Sequence, residues 1–260
     1  MRCAVVGHVE WVEFARVPRM PAAGEIVHAD RVWDEPAGGG AVVARQLALL
    51  AGRCEFFTAL GEDDLGRAAA RRLAELGVDV HVRWGGATRR AWTHVDGDGE
   101  RTITVLGDKL LARGPLPLHG YDLVFFVSGD VEALRSARDA RFVAATVREL
   151  GTLLAADVPL DLLVASANDP GERYHGGLET RHVALTAGAE GGTFDGMPYD
   201  AIAPPEISDS YGAGDSFAAA LAFALARGDG AEAALRLAAE AGAAVIRGAG
   251  PYEAQLALRS

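Results

Sequence analysis

Short apolar runs alternate with helix patterns along the first third of the chain. Apolar segments at 2–7, 55–60 and 78–82 are separated by Ala- and Leu-rich helix patterns at 41–51 and 63–76. Glycines stand at the borders of these segments, where helices start and stop. The order β, α, β, α, β predicts a mainly parallel sheet that is covered by helices.

Two stretches interrupt this alternation. Residues 8–37 hold three prolines and only short alternating pieces, which predicts irregular structure with small strands. Residues 91–95 and 101–105 flank an Asp-Gly-Asp-Gly turn and predict a β-hairpin. We assign residues 9–37 and 86–107 to a small accessory sheet that projects from the main body.

The rest of the chain continues the pattern of buried strands and helices. A strongly apolar strand is expected at 122–127 and a helical region, with an uncertain break, at 131–151. Further strands are expected at 160–165 and 182–185, an antiparallel pair at 191–194 and 199–203, and two closing helices at 213–227 and 231–246.

Composition narrows the class of protein. The chain has 260 residues, which suits one large domain or two small ones, and a net charge of −11, which gives no general attraction to nucleic acid. Cys3 and Cys54 lie beside apolar runs and are expected to be free thiols, too few for a structural zinc site. Because we find no signal-peptide pattern and no run of 18 apolar residues, we expect a cytoplasmic protein without a membrane partner.

The most informative segment reads Asp-Ser-Tyr-Gly-Ala-Gly-Asp-Ser-Phe over 209–217, just before a long apolar helix pattern. The small residues at 212–214 let a ligand approach the backbone closely. First-turn amides and the helix dipole provide partial positive charge, which suits the charge that develops in phosphoryl transfer. Asp215 stands in this first turn, either as a helix-stabilising carboxylate or as a general base facing a hydroxyl group.

This segment resembles the Asp-Thr-x-Gly-Ala-Gly-Asp signature of the ribokinase/PfkB family of sugar and nucleoside kinases, with Ser210 in place of Thr. The resemblance covers almost the whole chain, since residues 58–66 look like the family's strand-to-helix segment and 96–101 like its lid hairpin. It implies one ribokinase-like α/β domain over 1–260. That fold has a central, mainly parallel sheet flanked by helices, with a small β lid formed by about 9–37 and 86–107.

The family also implies roles for the residues of the signature. Asp215 would be the catalytic base, and the amides of Gly212, Ala213 and Gly214 would hold the transferring phosphate. ATP and Mg²⁺ would be the cofactors. By resemblance alone, a monovalent cation such as K⁺ would bind near Asp209.

A second glycine-containing turn predicts part of the nucleotide-binding site. Thr186, Gly188 and Gly191 match a Thr-x-Gly-x-x-Gly turn that lines the nucleotide site in the family, although such a turn also occurs simply as a β-turn between strands. The family's Asn-x-x-Glu near magnesium and triphosphate is matched by Asn168, but Glu172 comes one residue late. Glu172 either reaches the metal through a shifted loop or belongs to a helix start with Pro170 in its first turn.

The substrate side departs from the family. Gly39 and Gly40 match its Gly-Gly segment and permit close approach of a ligand, yet no Asn follows them. In place of the family's Asp after the first strand, Glu10 and Glu13 are the candidates for binding sugar hydroxyls, and each is equally plausible as a surface charge.

Two further features of the expected lid bear on partners. Arg89 and Arg90 precede a lid strand and either meet an anionic substrate or lie on a solvated face. The family resemblance implies a homodimer through the lid. A dimer would cover the edge strands and the apolar residues, such as Trp33, that the lid would otherwise expose.

Together these residues predict an ATP-dependent kinase that phosphorylates a hydroxyl group of a sugar or a related small polyol. A nucleoside kinase and a non-catalytic ligand-binding relative remain as alternatives. A dinucleotide-dependent oxidoreductase is disfavoured, because no Gly-x-Gly-x-x-Gly follows the first strand.

Overall fold

The computed structural model describes residues 1–258 and contains two sheets and six α-helices. In chain order the elements are β1 Cys3–Val6, β2 Glu10–Arg16, β3 Arg31–Ala37, α1 Gly39–Ala51, β4 Cys54–Leu60, α2 Asp64–Glu75, β5 Val78–Trp84, β6 Arg90–Val95, β7 Arg101–Leu106, β8 Leu123–Phe126, α3 Val131–Ala137, β9 Phe142–Thr146, α4 Leu150–Ala156, β10 Leu160–Ser166, β11 Thr180–Thr186, β12 Gly192–Phe194, β13 Met197–Tyr199, α5 Ala213–Arg227 and α6 Ala231–Val245.

The large sheet has nine strands in the order β13-β12-β11-β10-β9-β8-β1-β4-β5. The seven strands from β11 to β5 run parallel, and β12 and β13 add an antiparallel edge. All four residues of β1 are buried, as expected for a central parallel strand that is covered on both faces. This confirms the predicted mainly parallel α/β architecture.

The helices form two layers, one on each face of the large sheet. Val5 points into a core shared with α1, α5 and α6, whereas Ala4 and Val6 point into a second core with α3 and α4. The alternation follows from the period of two along a strand. Within residues 1–258, no helix is long and apolar enough to cross a bilayer.

The small sheet has four strands in the order β3-β2-β6-β7. All four lie within the two ranges predicted for the lid, and β2 and β3 are regular seven-residue strands where only short pieces were expected. Val12 and Phe14 of β2 face inward and are fully buried. Trp33 is not an exposed apolar residue, because its ring stacks on Phe14 with the centroids 5.0 Å apart.

Two sequence expectations about secondary structure were wrong. The region 131–151 is not one helical stretch, since the five buried residues of β9 separate α3 from a short 3₁₀ turn and α4. A short apolar run cannot be assigned to strand or helix by periodicity alone.

The second strand of the edge pair is Met197–Tyr199, not 199–203, because Asp195 and Gly196 form a two-residue turn with φ of 50° and 81°.

Candidate active site

The order in which the chain adds strands to the parallel sheet reverses between the neighbouring strands β1 and β8. From β1 the chain proceeds to β4 and β5 on one side, and later from β8 to β11 on the other. Ligands of open α/β sheets bind outside the carboxyl ends of the strands at such a switch point. His8 follows β1 and Ser128 follows β8, and His8 Nδ1 lies 3.1 Å from Ser128 Oγ across this point.

Asp215 is brought to the same place by the start of α5. Gly212, immediately before the helix, has a φ of 83°, a conformation that favours glycine. A Cβ at Gly212 would also lie 3.0 Å from a methyl carbon of Val42. On the facing helix start, a Cβ at Gly39 would lie 3.0 Å from Asp215 Oδ1. The glycine pair therefore lets the carboxylate approach α1 closely.

The environment of Asp215 alters its acidity. Burial first, and then the negative charge of Glu172, raise the pKa of Asp215 to about 6, while Arg101 and Arg148 act in the opposite direction. A base is most effective when its pKa lies near the operating pH. Asp215 is therefore ionised at neutral pH and is a stronger base than an ordinary aspartate.

The first turn of α5 can accept an anion. The helical hydrogen bonds begin with Ser216 N, which donates to Gly212 O at 2.9 Å. Before it, Ala213 N makes only a long contact of 3.4 Å with Ser210 O. Amides in the first turn of a helix are not used by the helix itself, and the dipole adds positive potential there. A Cβ at Gly214 would meet no atom within 4 Å, so the space in front of the turn is open.

Asp209 fixes the loop that leads into α5. This carboxylate is 1% exposed and accepts hydrogen bonds from Tyr211 N at 2.8 Å and Gly250 N at 2.9 Å. Tyr211 in turn accepts a hydrogen bond from Gly38 N at 3.0 Å through its hydroxyl oxygen. Burial raises the pKa of Asp209. These contacts give Asp209 a structural role, and the cation expected near it stays a prediction.

The two glutamates predicted for the substrate lie on opposite faces of β2. Glu10 is 6% exposed, its Cγ would lie 3.5 Å from a Cβ at Gly38, and its Oε2 is 3.2 Å from Arg89 Nε. Glu13 lies on the outer face, where it forms an ion pair with Arg90. The structure therefore brings Glu10 to the site and does not bring Glu13 there.

Gly40 is required by close packing of the chain beside the site. A Cβ at Gly40 would lie 2.5 Å from His8 O and 2.8 Å from His8 N. Such contacts with backbone atoms cannot be relieved by a rotamer change. The Gly-Gly segment thus lets α1 begin directly against the end of β1.

The predicted nucleotide residues meet at the ends of β10 and β11. A Cβ at Gly188 would lie 3.6 Å from Asn168 Nδ2, and Thr186 O accepts a hydrogen bond from Ala167 N at 2.9 Å. Gly191 has a φ of 83° and closes the turn by donating its N–H to Gly188 O at 3.2 Å. These residues line the same carboxyl edge of the sheet that carries Asp215.

Glu172 lies in a 3₁₀ turn that begins at Pro170, and its expected role at the metal stays a prediction. Arg148 links it to Asp169, with contacts of 2.8 Å to Glu172 Oε1 and 2.5 Å to Asp169 Oδ2. Within residues 1–258, no three His, Cys, Asp or Glu side chains converge to hold a metal by themselves. One or two carboxylate oxygens suit Mg²⁺, which is bound largely through phosphate oxygens and water.

Sequence reasoning missed His8, which lies at the switch point, and Lys109 and Arg148, whose charges act on His8. Burial and then the positive charges of Lys109, Arg89 and Arg148 lower the pKa of His8 to about 3, so its ring is neutral. One signal was available for Lys109, because it is the only lysine in a sequence with 25 Lys and Arg residues. His8 and Arg148 give no comparable signal, since their proximity depends on the folded sheet.

Comparisons with known proteins agree with this geometry. The model of the pfkB family carbohydrate kinases matches residues 1–136 and 127–257. An ATP-dependent ribose-1-phosphate kinase of Halopiger xanaduensis is 32% identical over 253 residues, covering 84% of this chain and 83% of the relative. A ribokinase of Arabidopsis thaliana is 25% identical over 285 residues, covering 94% of this chain and 75% of the relative.

A solved structure supports the fold. The ribokinase of Thermotoga maritima has a TM-score of 0.78 at 20% identity, covering 99% of this chain and 96% of that chain. At this identity the likeness concerns the fold, which matches the predicted ribokinase-like architecture.

Proposed function

The chain belongs to the pfkB family of carbohydrate kinases, and we propose that it transfers the γ-phosphoryl group of ATP to a hydroxyl group of a sugar or a related small polyol. The observation that carries this proposal is the Asp215 carboxylate in the first turn of α5, with its pKa raised to about 6. It combines a base and an anion-binding helix start in one turn, which is what phosphoryl transfer to a hydroxyl requires.

In the proposed reaction, Asp215 accepts the proton of the acceptor hydroxyl while the acceptor oxygen forms a bond to the γ-phosphorus. The bond between that phosphorus and the β–γ bridging oxygen breaks, and ADP leaves with the bridging oxygen. The amides of Gly212, Ala213 and Gly214 donate to the phosphoryl oxygens as charge develops on them.

The nucleotide side is proposed to use Asn168, Thr186, Gly188 and Gly191, which lie together at the strand ends. Glu172 would hold Mg²⁺ together with phosphate oxygens, and its charge already acts on Asp215. When bound, Mg²⁺ neutralises charge on the β- and γ-phosphates.

A dependence of the rate on K⁺, compared with choline at equal ionic strength, would test the cation expected near Asp209.

The acceptor side is proposed to use Glu10, Gly39 and Gly40, with the small sheet as a lid. The outer face of that sheet exposes Val32 at 70% and Trp92 at 49%, and apolar residues on an open sheet are typical of an interface. We therefore keep a homodimer through the lid as part of the proposal. A solution mass equal to the monomer at micromolar concentration would remove it.

The test is ADP release with Mg-ATP against pentoses, hexoses, polyols and nucleosides, and against ribose 1-phosphate because a relative is named for it. Asp215→Asn should lower the acceptor-dependent rate by about 10²- to 10⁴-fold, the usual contribution of a general base. Asp64→Asn is the matched control, because Asp64 also lies in a first helical turn but is fully exposed.

Three results would separate the alternatives. Turnover only with nucleosides would favour a nucleoside kinase. ATP binding without release for any acceptor would favour the non-catalytic relative. Equal activity of Asp215→Asn and the unchanged chain would refute Asp215 as the base.

A further inference from the structure

The two faces of the edge strand β5 have different surroundings. Helices α1 and α2 pack against β5 on one face, where Val78 and Val82 join the core. Because side chains alternate along a strand, His81 and Arg83 lie on the other face, and both are exposed. Helix α3, which belongs to that face, packs against β8. The β5 end of the face is bordered instead by the segment that leads from β7 to β8.

A cavity of about 320 Å³ lies on this face, between β4 and β5 and the segment 112–116. Its walls include the apolar side chains of Phe57, Ala112 and Leu116 and the charged side chains of Arg83 and Arg113. Small-molecule sites typically have volumes of about 300–1,000 Å³ and mostly apolar walls with a few polar groups. The volume therefore suits a small metabolite.

Arg83 and Arg113 have no carboxylate partner. Within residues 1–258, neither forms an ion pair or a side-chain hydrogen bond. The carboxylates at the other end of this face are taken by other cations, in the pairs Arg2–Glu55, Arg53–Asp79 and Arg141–Asp122. The chain as a whole has a net charge of −11. Two unpaired guanidinium groups in one cavity favour an oxyanion, whose geometry their planar forks match.

The aromatic wall of the cavity is held in place from the opposite end. The ring of His81 stacks on Phe57 with the centroids 4.6 Å apart and the planes at 10°. His81 Nε2 lies 3.0 Å from Glu55 Oε2. Such a wall packs well against the ring or the apolar body of a ligand. An inorganic anion would leave the wall uncovered, so an organic anion suits the cavity better.

The cavity lies between the two connections that join the β6–β7 hairpin of the small sheet to the large sheet. The first connection, residues 85–89, begins directly after β5, and Gly85 N donates to Leu60 O at 3.0 Å. The second connection, residues 107–116, returns from β7, and Ala112 O accepts from Asp130 N at 3.0 Å. The two connections also contact each other, because a Cβ at Gly86 would lie 3.3 Å from a methyl carbon of Leu110.

We propose that this cavity is a second ligand site, which binds a small organic anion through Arg83 and Arg113 and thereby holds the two connections of the hairpin together. The ligand has a phosphate or carboxylate group for the two guanidinium groups and an apolar or aromatic body for the wall at Phe57. The site lies on the face of the large sheet opposite to α5, which carries Asp215. Its effect on the acceptor side rests on the proposed function, in which the small sheet is the lid.

The binding test uses phenyl phosphate and phenylacetate, which share an aromatic body and differ in the anionic group. Inorganic phosphate lacks the body, and benzyl alcohol lacks the charge. Isothermal titration with saturating Mg-ADP present keeps the proposed nucleotide site filled. One of the two aromatic anions should bind about tenfold or more tightly than inorganic phosphate and benzyl alcohol, and the stronger one shows whether the site prefers phosphate or carboxylate.

Arg83→Gln and Arg113→Gln should each weaken binding of that anion about tenfold to hundredfold, the loss expected for charge-assisted hydrogen bonds. Arg71→Gln is the matched control, because Arg71 is an exposed arginine of α2 and its replacement changes the net charge equally. Its binding should equal that of the unchanged chain. Equal weakening by all three variants, no weakening by Arg83→Gln and Arg113→Gln, or no binding of either aromatic anion would overturn the site.

Hydrogen exchange measures the effect on the hairpin. The bound anion should slow exchange of the amides of β6 and β7 about threefold or more in the unchanged chain, because it links both connections of the hairpin. The same concentration should not slow exchange in Arg83→Gln. Binding that leaves the exchange of β6 and β7 unchanged would overturn the proposed link to the small sheet.

Neither measurement needs turnover, so the two proposals fail separately. A chain that binds the anion and slows exchange but phosphorylates no acceptor would keep this site and count against the kinase. A chain that phosphorylates an acceptor but binds neither aromatic anion would keep the kinase and overturn this site.

Discussion

Replacing Asp215 by Asn is expected to stabilise the fold while it removes the proposed base. Burial and the charge of Glu172 raise the pKa of Asp215 from 3.8 to about 6, so the ionised carboxylate is disfavoured in the folded chain. One pKa unit corresponds to about 1.36 kcal/mol, so this rise amounts to about 3 kcal/mol when the carboxylate is fully ionised. Asn has a similar shape and no charge, and it should recover up to that amount.

The gain in the free energy of unfolding on Asp215→Asn should increase with pH. Between pH 3.8 and about 6, Asp215 binds more protons in the folded chain than in the unfolded chain, so its contribution to stability falls as the pH rises. Below pH 3.8 the residue is protonated in both states, and Asn should make little difference. Above about pH 6 the gain should reach its full value and stay constant.

Urea unfolding at a series of pH values from 4 to 8, without nucleotide or Mg²⁺, measures this difference directly. The midpoint of thermal unfolding at pH 8 should rise by about 6–12 °C for a chain of this size. Asp64→Asn, at a fully exposed first-turn position, should show no such pH-dependent gain. A loss of stability on Asp215→Asn, or a gain that is the same at pH 4 and pH 8, would refute the reasoning.

Three further outcomes are expected. Glu172→Gln should lower the pKa of Asp215, because the negative charge of Glu172 adds to burial in raising it. The stability gain of Asp215→Asn in urea without Mg²⁺ should therefore be smaller in the Glu172→Gln background, and an equal gain would contradict this. Gly40→Ala should lower the free energy of unfolding by more than about 2 kcal/mol, because its Cβ would lie 2.5 Å from His8 O. Tyr211→Phe should cost about 1–3 kcal/mol in urea unfolding by leaving Gly38 N without its partner, and stability equal to the unchanged chain would show that another acceptor replaces the hydroxyl.

Most of the fold could be predicted because its signals are local. The alternation of apolar runs and helix patterns predicted six of the seven central parallel strands and both closing helices. The missing strand, β9, is a run of five buried residues in an Ala-rich region, where strand and helix give the same apolar pattern. The edge strand was misplaced although Asp195 and Gly196 carry a recognisable turn signal.

The candidate site was predictable only where its residues are neighbours in sequence. The segment 209–217 contains the proposed base, the small residues and the helix start together, so one pattern predicts the whole unit. The nucleotide residues were predicted from the resemblance of 186–191 and of Asn168 to two short motifs of the family, and only the folded sheet brings these two motifs together at the ends of β10 and β11.

What the sequence by itself determined is thus the α/β class, the family resemblance and the helix start that carries Asp215. Only the tertiary structure decided that Glu10 and Arg89 face the site while Glu13 and Arg90 face outward. It alone brought His8 beside Ser128, 120 positions away. The physical reason is that strand alternation separates residues into two faces, but the register and packing of distant segments decide which face meets the ligand.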